Sequence, residues 1–223
     1  MNDCNSIFLE DAIKCDPRLK SVYVNLREVM DLNNDIAYIS GSVVEGFGNT
    51  TSDVDIYIVT GRADVYETKY VNSAKDGNYY VELNVFSKEQ ARQICDKINN
   101  TTLDDDQEIF NLSEKELEFY YRAAIGIPLF NLSAFNEFCS EFDKEKVNAI
   151  YERVHKWNAI KELYFVTLRK QNGEIELAYF HAQKAIEHAL DSYLAKNGEG
   201  YCTGKYRFLK LKRLLEVKSD IYI

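Results

Sequence analysis

The run from Gly41 to Val59 constrains this chain more than any other stretch. Asp35 to Ser40, just before it, is short, apolar and rich in strand formers, so Gly41-Ser42 falls where a strand ends. With no Cβ, Gly41 lets main-chain amides at the turn come close to a phosphate, and Ser42 adds a hydroxyl donor, as a polyphosphate cradle requires. Further on, Asp53-Val54-Asp55-Ile56-Tyr57-Ile58-Val59 reads as a strand. A side-chain period of two puts Asp53 and Asp55 on one face and Val54, Ile56 and Ile58 on the core face. Alpha carbons two apart in a strand lie roughly 6.5–7 Å from each other. Both carboxylates can therefore share hard divalent ions about 3.5–4 Å apart. Calcium loops also use Asp-x-Asp, but with small polar residues and a glycine in the alternate places, where this chain has aliphatics.

In its strand, its Gly-Ser turn, the spacer from Val43 to Ser52 and the Asp-x-Asp on the next strand, the first half of the chain resembles the polymerase-beta-type nucleotidyltransferases. The resemblance implies an α+β protein. Its N-terminal nucleotidyltransferase domain, over 1–143, would hold a mixed β-sheet flanked by helices, and an all-α helical bundle would follow over 144–223. It also implies that Gly41, Ser42 and Ser52 contact a nucleoside triphosphate and that Asp53 and Asp55 bind two magnesium ions, with manganese as a substitute. That family takes a third carboxylate from a later strand. Here the candidate is Glu82, in the strand-like run Asn78 to Phe86 after an Asp76-Gly77 hairpin turn. The family's usual residue is an aspartate; Glu82 could also be a solvent-facing strand residue, and Asn84 is its neighbour on the same face. The implied activity transfers a nucleoside monophosphate, AMP from ATP by family habit, to a hydroxyl of a small-molecule acceptor and releases pyrophosphate. A protein-modifying, AMPylating regulator and a nucleotide-binding pseudoenzyme are the other two readings.

The 223 residues are 46% hydrophobic and 13% aromatic, enough for a sizeable core. A net charge of −9 argues against a long polyanion such as nucleic acid as partner and favours small or cationic acceptors. Cys4, Cys15, Cys95, Cys139 and Cys202 are scattered with no Cys-x-x-Cys pair, so they read as reduced thiols. The N-terminus lacks a basic segment followed by an apolar one, and no stretch approaches a membrane span, so the expectation is a cytoplasmic protein with no membrane partner. Oligomeric state stays open, with a homodimer compatible.

The second half reads as helices. Ala178 to Leu194 carries apolar residues at three and four spacing and stops near Asn197-Gly198, and together with Lys146 to Arg169 it suggests an all-helical half. This half is similar to the bundle of kanamycin-type nucleotidyltransferases. Gly200 to Arg213 holds Lys205, Arg207, Lys210, Lys212 and Arg213 and no acid, with Phe208, Leu211 and Leu215 as an apolar stripe. These cations form either a solvated face or a means of reaching the triphosphate, Lys205 first. None of His155, His181 and His188 follows an arginine at the spacing of bundle ribonucleases; His181 and His188 share a helix face, with or without a shared role. Leu112 to Phe130 opens with a serine capping box and closes at glycine and proline, a junction helix in which Arg122 either faces the cleft or pairs with Glu118. Asp104-Asp105-Asp106 reads as a solvated loop, and Pro17 to Leu32 as a helix, started at Asp16, that packs on the sheet.

Overall fold

The structure, a computed structural model, describes residues 18–31, 33–49, 51–62, 71–72, 80–201 and 204–219. The Asp16-Pro17 helix start, the Asp76-Gly77 turn, Cys4, Cys15 and Cys202 lie outside these residues. The chain forms two compact units, one of Met1–Asn99 with Arg122–Asp143 and the other of Asn100–Tyr121 with Lys144–Ile223. A break thus falls at 143/144, and 100–121 goes with the second unit.

The first unit is a five-stranded mixed sheet in the order β3-β4-β2-β1-β5, built from β1 (Ile36–Ser40), β2 (Val54–Thr60), β3 (Val71–Asn72), β4 (Tyr80–Ser87) and β5 (Ile127–Phe130). β1 runs antiparallel to β2 and β5, β2 runs parallel to β4, and β3 closes the other edge antiparallel to β4. The parallel β2–β4 pair puts both strand starts at the same end of the sheet. β5 was not expected as a strand; Pro128 is tolerated because β5 is an edge, where a missing N–H breaks no inner ladder.

Alternation sorts the two faces. Ala37, Ile39, Val54, Ile56, Ile58, Val81 and Leu83 form one buried aliphatic layer, and the first helix, α1 (Leu19–Val29), covers it with Leu19, Val22 and Leu26; Met30, just after it, joins the same core. This is the helix expected over Pro17 to Leu32. Each fully buried aliphatic side chain contributes about 1.5–3 kcal/mol. The other face is aromatic. Tyr38 stacks on Tyr57 at 5.2 Å and Tyr57 on Phe86 at 6.4 Å, so the rings cross three strands. Phe135 and Phe138 of α6 (Leu132–Cys139) tilt onto Tyr38. Between the strands the chain adds α2 (Gly41–Val44) and α3 (Lys88–Asn100), the latter burying Ala91, Cys95 and Ile98. Burial pushes the Cys95 and Cys139 thiols up to about 12, as inert reduced cysteines require.

In the second unit, α4 (Asp106–Phe110) and most of α5 (Glu114–Ala124), as far as Tyr121, precede two long helices, α7 (Lys144–Gln171) and α8 (Ile175–Lys196), packed along each other, and α9 (Arg207–Ser219). The capping box is present: Ser113 N–H donates to Glu116 Oε2 at 2.7 Å, and Glu116 N–H donates back to Ser113 Oγ at 3.3 Å. Asp104-Asp105-Asp106 is not a plain solvated loop. Asp105 N-caps α4, and Asp106 meets Arg153 at 2.6 Å, which holds its carboxyl below the usual range. α9 starts at Arg207 rather than Gly200, and the expected apolar stripe is not its buried side. Phe208 and Leu215 are exposed, whereas Lys210 is fully buried and donates to the carbonyl of Gly200 at 2.7 Å. A lysine whose ammonium meets carbonyls can be a core residue, and helical periodicity alone cannot anticipate it.

Gly126, after α5, gives a stability test. A Cβ there would stand 2.5 Å from Cδ2 of the fully buried Tyr38 ring, while one at Gly61 meets nothing within 4 Å. Gly126→Ala should cost about 1–3 kcal/mol in urea unfolding. Gly61→Ala should be neutral or stabilising.

Candidate active site

β1 ends at Ser40, and Gly41 turns the chain at φ +80, a left-handed conformation that favours glycine. The turn runs directly into α2, whose first amides have no partner within so short a helix. Glu45 N–H donates to Gly41 O at 3.0 Å, and the N–H groups of Phe47 and Gly48 both donate to Ser42 O at 2.8 Å, so the turn folds back on itself. Ser42 is buried, and its Oγ has no hydrogen-bond partner among the described residues.

Register assembles the acids. Ser40 of β1 pairs with Asp55 of β2, and Asp55 pairs with Glu82 of β4, so the three occupy one row across neighbouring strands. Asp53 lies just before β2 on the same face as Asp55. One carboxylate oxygen each from Asp53, Asp55 and Glu82 lies within 4.8 Å of the other two, and all three residues are half-buried. Asn84, the alternative to Glu82, pairs with Tyr57 farther along the strand. Asp55 also explains the glycine: a Cβ on Gly41 would fall 1.8 Å from Asp55 Oδ2. The carboxylate occupies the space that any other residue at 41 would need.

The loop ahead of Asp53 is fixed by its own side chains. Asn49 Oδ1 accepts from Thr51 N–H at 2.9 Å, and Ser52 Oγ accepts from Asn49 N–H at 3.0 Å. Arg18 donates to the Ser52 carbonyl at 2.7 Å. The Ser52 hydroxyl is thus used in shaping the loop that delivers Asp53. Beneath the turn lies a buried pair that the sequence did not suggest: Arg122 stands 3.7 Å from Glu45, and the Arg122 carbonyl accepts from Ser40 Oγ at 3.0 Å. Glu118, the partner expected for Arg122, accepts from the Tyr201 hydroxyl. Nothing local links Glu45 to Arg122, since the two lie far apart in sequence.

Lys205 belongs to the second unit, where it is exposed with its Nζ 5.1 Å from the Tyr206 ring centroid. The other cations of that run have structural work. Arg207 grips Asp191, Arg213 grips Glu199, Lys212 stands 3.7 Å from Glu216, and Lys210 is buried on backbone carbonyls.

The donor set of the carboxylate row is three hard oxygens, which suits magnesium or manganese rather than zinc. Ser42 Oγ, buried and without a partner among the described residues, belongs to the turn that packs against Asp55, so the residues present fit a metal–triphosphate group.

No family profile matches the sequence, and no curated protein does. Seven chains of solved structures match. One is a nucleotidyltransferase-like protein from Exiguobacterium sibiricum 255-15, similar over 92% of this chain and 66% of its own, with a TM-score of 0.44 and 10% sequence identity. Among the described residues, no helix is long and apolar enough to cross a membrane.

Proposed function

We propose that the first unit is a metal-dependent nucleotidyltransferase that moves a nucleoside monophosphate, with ATP as the preferred donor, onto a hydroxyl of a small acceptor. The observation that carries this reading is the convergence of Asp53, Asp55 and Glu82 beside a turn whose Gly41 has no room for a side chain. Three carboxylates so close together repel one another, and a divalent cation with a polyphosphate turns that repulsion into binding.

Asp53, Asp55 and Glu82 would hold the ions. Magnesium, when bound, supplies charge neutralisation at the triphosphate and makes the acceptor hydroxyl more acidic. The chain's own part is positioning. Gly41 and Ser42 offer amides and a hydroxyl to the phosphates, and Asp55, packed against Gly41, sets the distance between cradle and carboxylates. The acceptor oxygen bonds to the α-phosphorus as the bond to the pyrophosphate oxygen breaks. Glu82 either completes the ligand set or accepts the hydroxyl proton. The net charge of −9 supports a small or cationic acceptor over a nucleic acid.

The test is pyrophosphate release, with mass analysis of products, using each of the four nucleoside triphosphates, magnesium, pooled small hydroxyl acceptors and a cell lysate. Asp53→Ala and Asp55→Ala should each lower acceptor-dependent turnover by at least ~100-fold, the range for losing an electrostatic stabiliser. Loss of less than tenfold in both would overturn the assignment. Gly41→Ala should lower turnover by about 100-fold, because its Cβ displaces Asp55 from the productive position. The left-handed backbone would add about 1–2 kcal/mol of destabilisation, read in urea unfolding.

A further inference from the structure

The long helices of the second unit carry another ligand cluster, independent of the carboxylate row. His155 on α7 and His188 on α8 turn the same ring nitrogen to one point, Nδ1 to Nδ1 3.2 Å apart. His181, on the same helix face as His188, meets Glu162 at 2.6 Å instead. Asp191, nearly one turn after His188, brings a carboxylate to the same place. A donor atom from each of His155, His188 and Asp191 lies within 4.8 Å of the other two.

We propose that His155, His188 and Asp191 bind a divalent ion of the zinc class, bridging α7 and α8 and leaving a coordination position for water. Two nitrogens on one tetrahedral ion, each at about 2.0–2.1 Å, stand roughly 3.3–3.4 Å apart, so the imidazoles already have nearly the required spacing. Two imidazoles and one carboxylate suit zinc or cobalt and are a poor set for magnesium.

The surroundings support the donors. Arg207 donates from Nε to Asp191 Oδ1 at 2.6 Å and from Nη2 to Oδ2 at 2.9 Å, an outer partner that fixes the carboxylate while leaving each oxygen a lone pair. The same guanidinium stands 3.5 Å from Glu187, so two carboxylates face one cation, and the remaining negative charge offsets an incoming metal. Tyr151 stacks on the His155 ring at 6.1 Å and 15° and holds its plane. Asp191 is only 2% exposed, whereas the two histidines are half-buried and give the ion a way in.

The competing account is a bare hydrogen bond between the two rings, which the 3.2 Å separation also permits. Cobalt(II) separates the two. The full chain, stripped with a chelator, desalted and placed in excess magnesium to occupy the oxygen site, is titrated with cobalt(II) and then zinc. The proposal requires one cobalt per chain with the intense visible absorption of a four- or five-coordinate nitrogen-bound ion, displaced by one equivalent of zinc. His155→Gln and His188→Gln should each weaken binding by at least ~100-fold, more than loss of an outer partner does, with helicity by circular dichroism unchanged. Absence of the absorption from the unmodified chain overturns the proposal, as does unchanged affinity in both folded variants. A variant that loses helicity is replaced by the other one, and the unmodified chain's titration stands on its own.

Discussion

The first unit is organised around a concentration of like charge. Register places Asp55 and Glu82 opposite each other on parallel strands, and the strand period adds Asp53 on the same face. Like charges directly opposite on a sheet destabilise it. The fold meets that cost with a firm scaffold. An aliphatic layer backed by α1 lies on one face, a stack of Tyr38, Tyr57 and Phe86 on the other, and a glycine turn fits against one carboxylate. A local rule broken inside so consistent a fold is the usual mark of a functional site.

Glycine 41 joins sequence, backbone and chemistry. Its φ of +80 lets β1 turn into α2, and its missing Cβ leaves room for Asp55 Oδ2. The glycine turn and the acidic row therefore share one contact and cannot be repositioned separately. The buried Arg122–Glu45 pair and the bond from Ser40 Oγ to the Arg122 carbonyl brace the turn from below. Nothing in the run from Gly41 to Val59 announces this support.

What could be read in advance follows from how local each signal is. The β1–turn–β2 unit, the α1 stripe of Leu19, Val22 and Leu26, the Ser113 capping box and the two long helices depend on neighbours within a few residues, and all are visible in the sequence. β5 was missed because Pro128 masks a strand that needs only one partner. α9 was misjudged because its apolar residues face outward while Lys210 is buried on carbonyls. The roles of Asp106, Arg122, His155 and His188 depend on partners distant in sequence, which no periodicity encodes. Glu82 lies between these cases: strand character was legible, but its pairing with Asp55 emerges only from the parallel β2–β4 register.

The central claim is that Asp53, Asp55 and Glu82 act together as one divalent-ion site completed by a nucleoside triphosphate. Manganese(II) binding followed by electron paramagnetic resonance, with and without a non-hydrolysable triphosphate, tests it most directly when the unmodified chain is compared with Glu82→Gln and Asp55→Asn. The account predicts that the triphosphate tightens manganese binding in the unmodified chain and that either substitution removes this coupling while the fold is kept. Manganese affinity that ignores the triphosphate, or coupling that survives both substitutions, would contradict it.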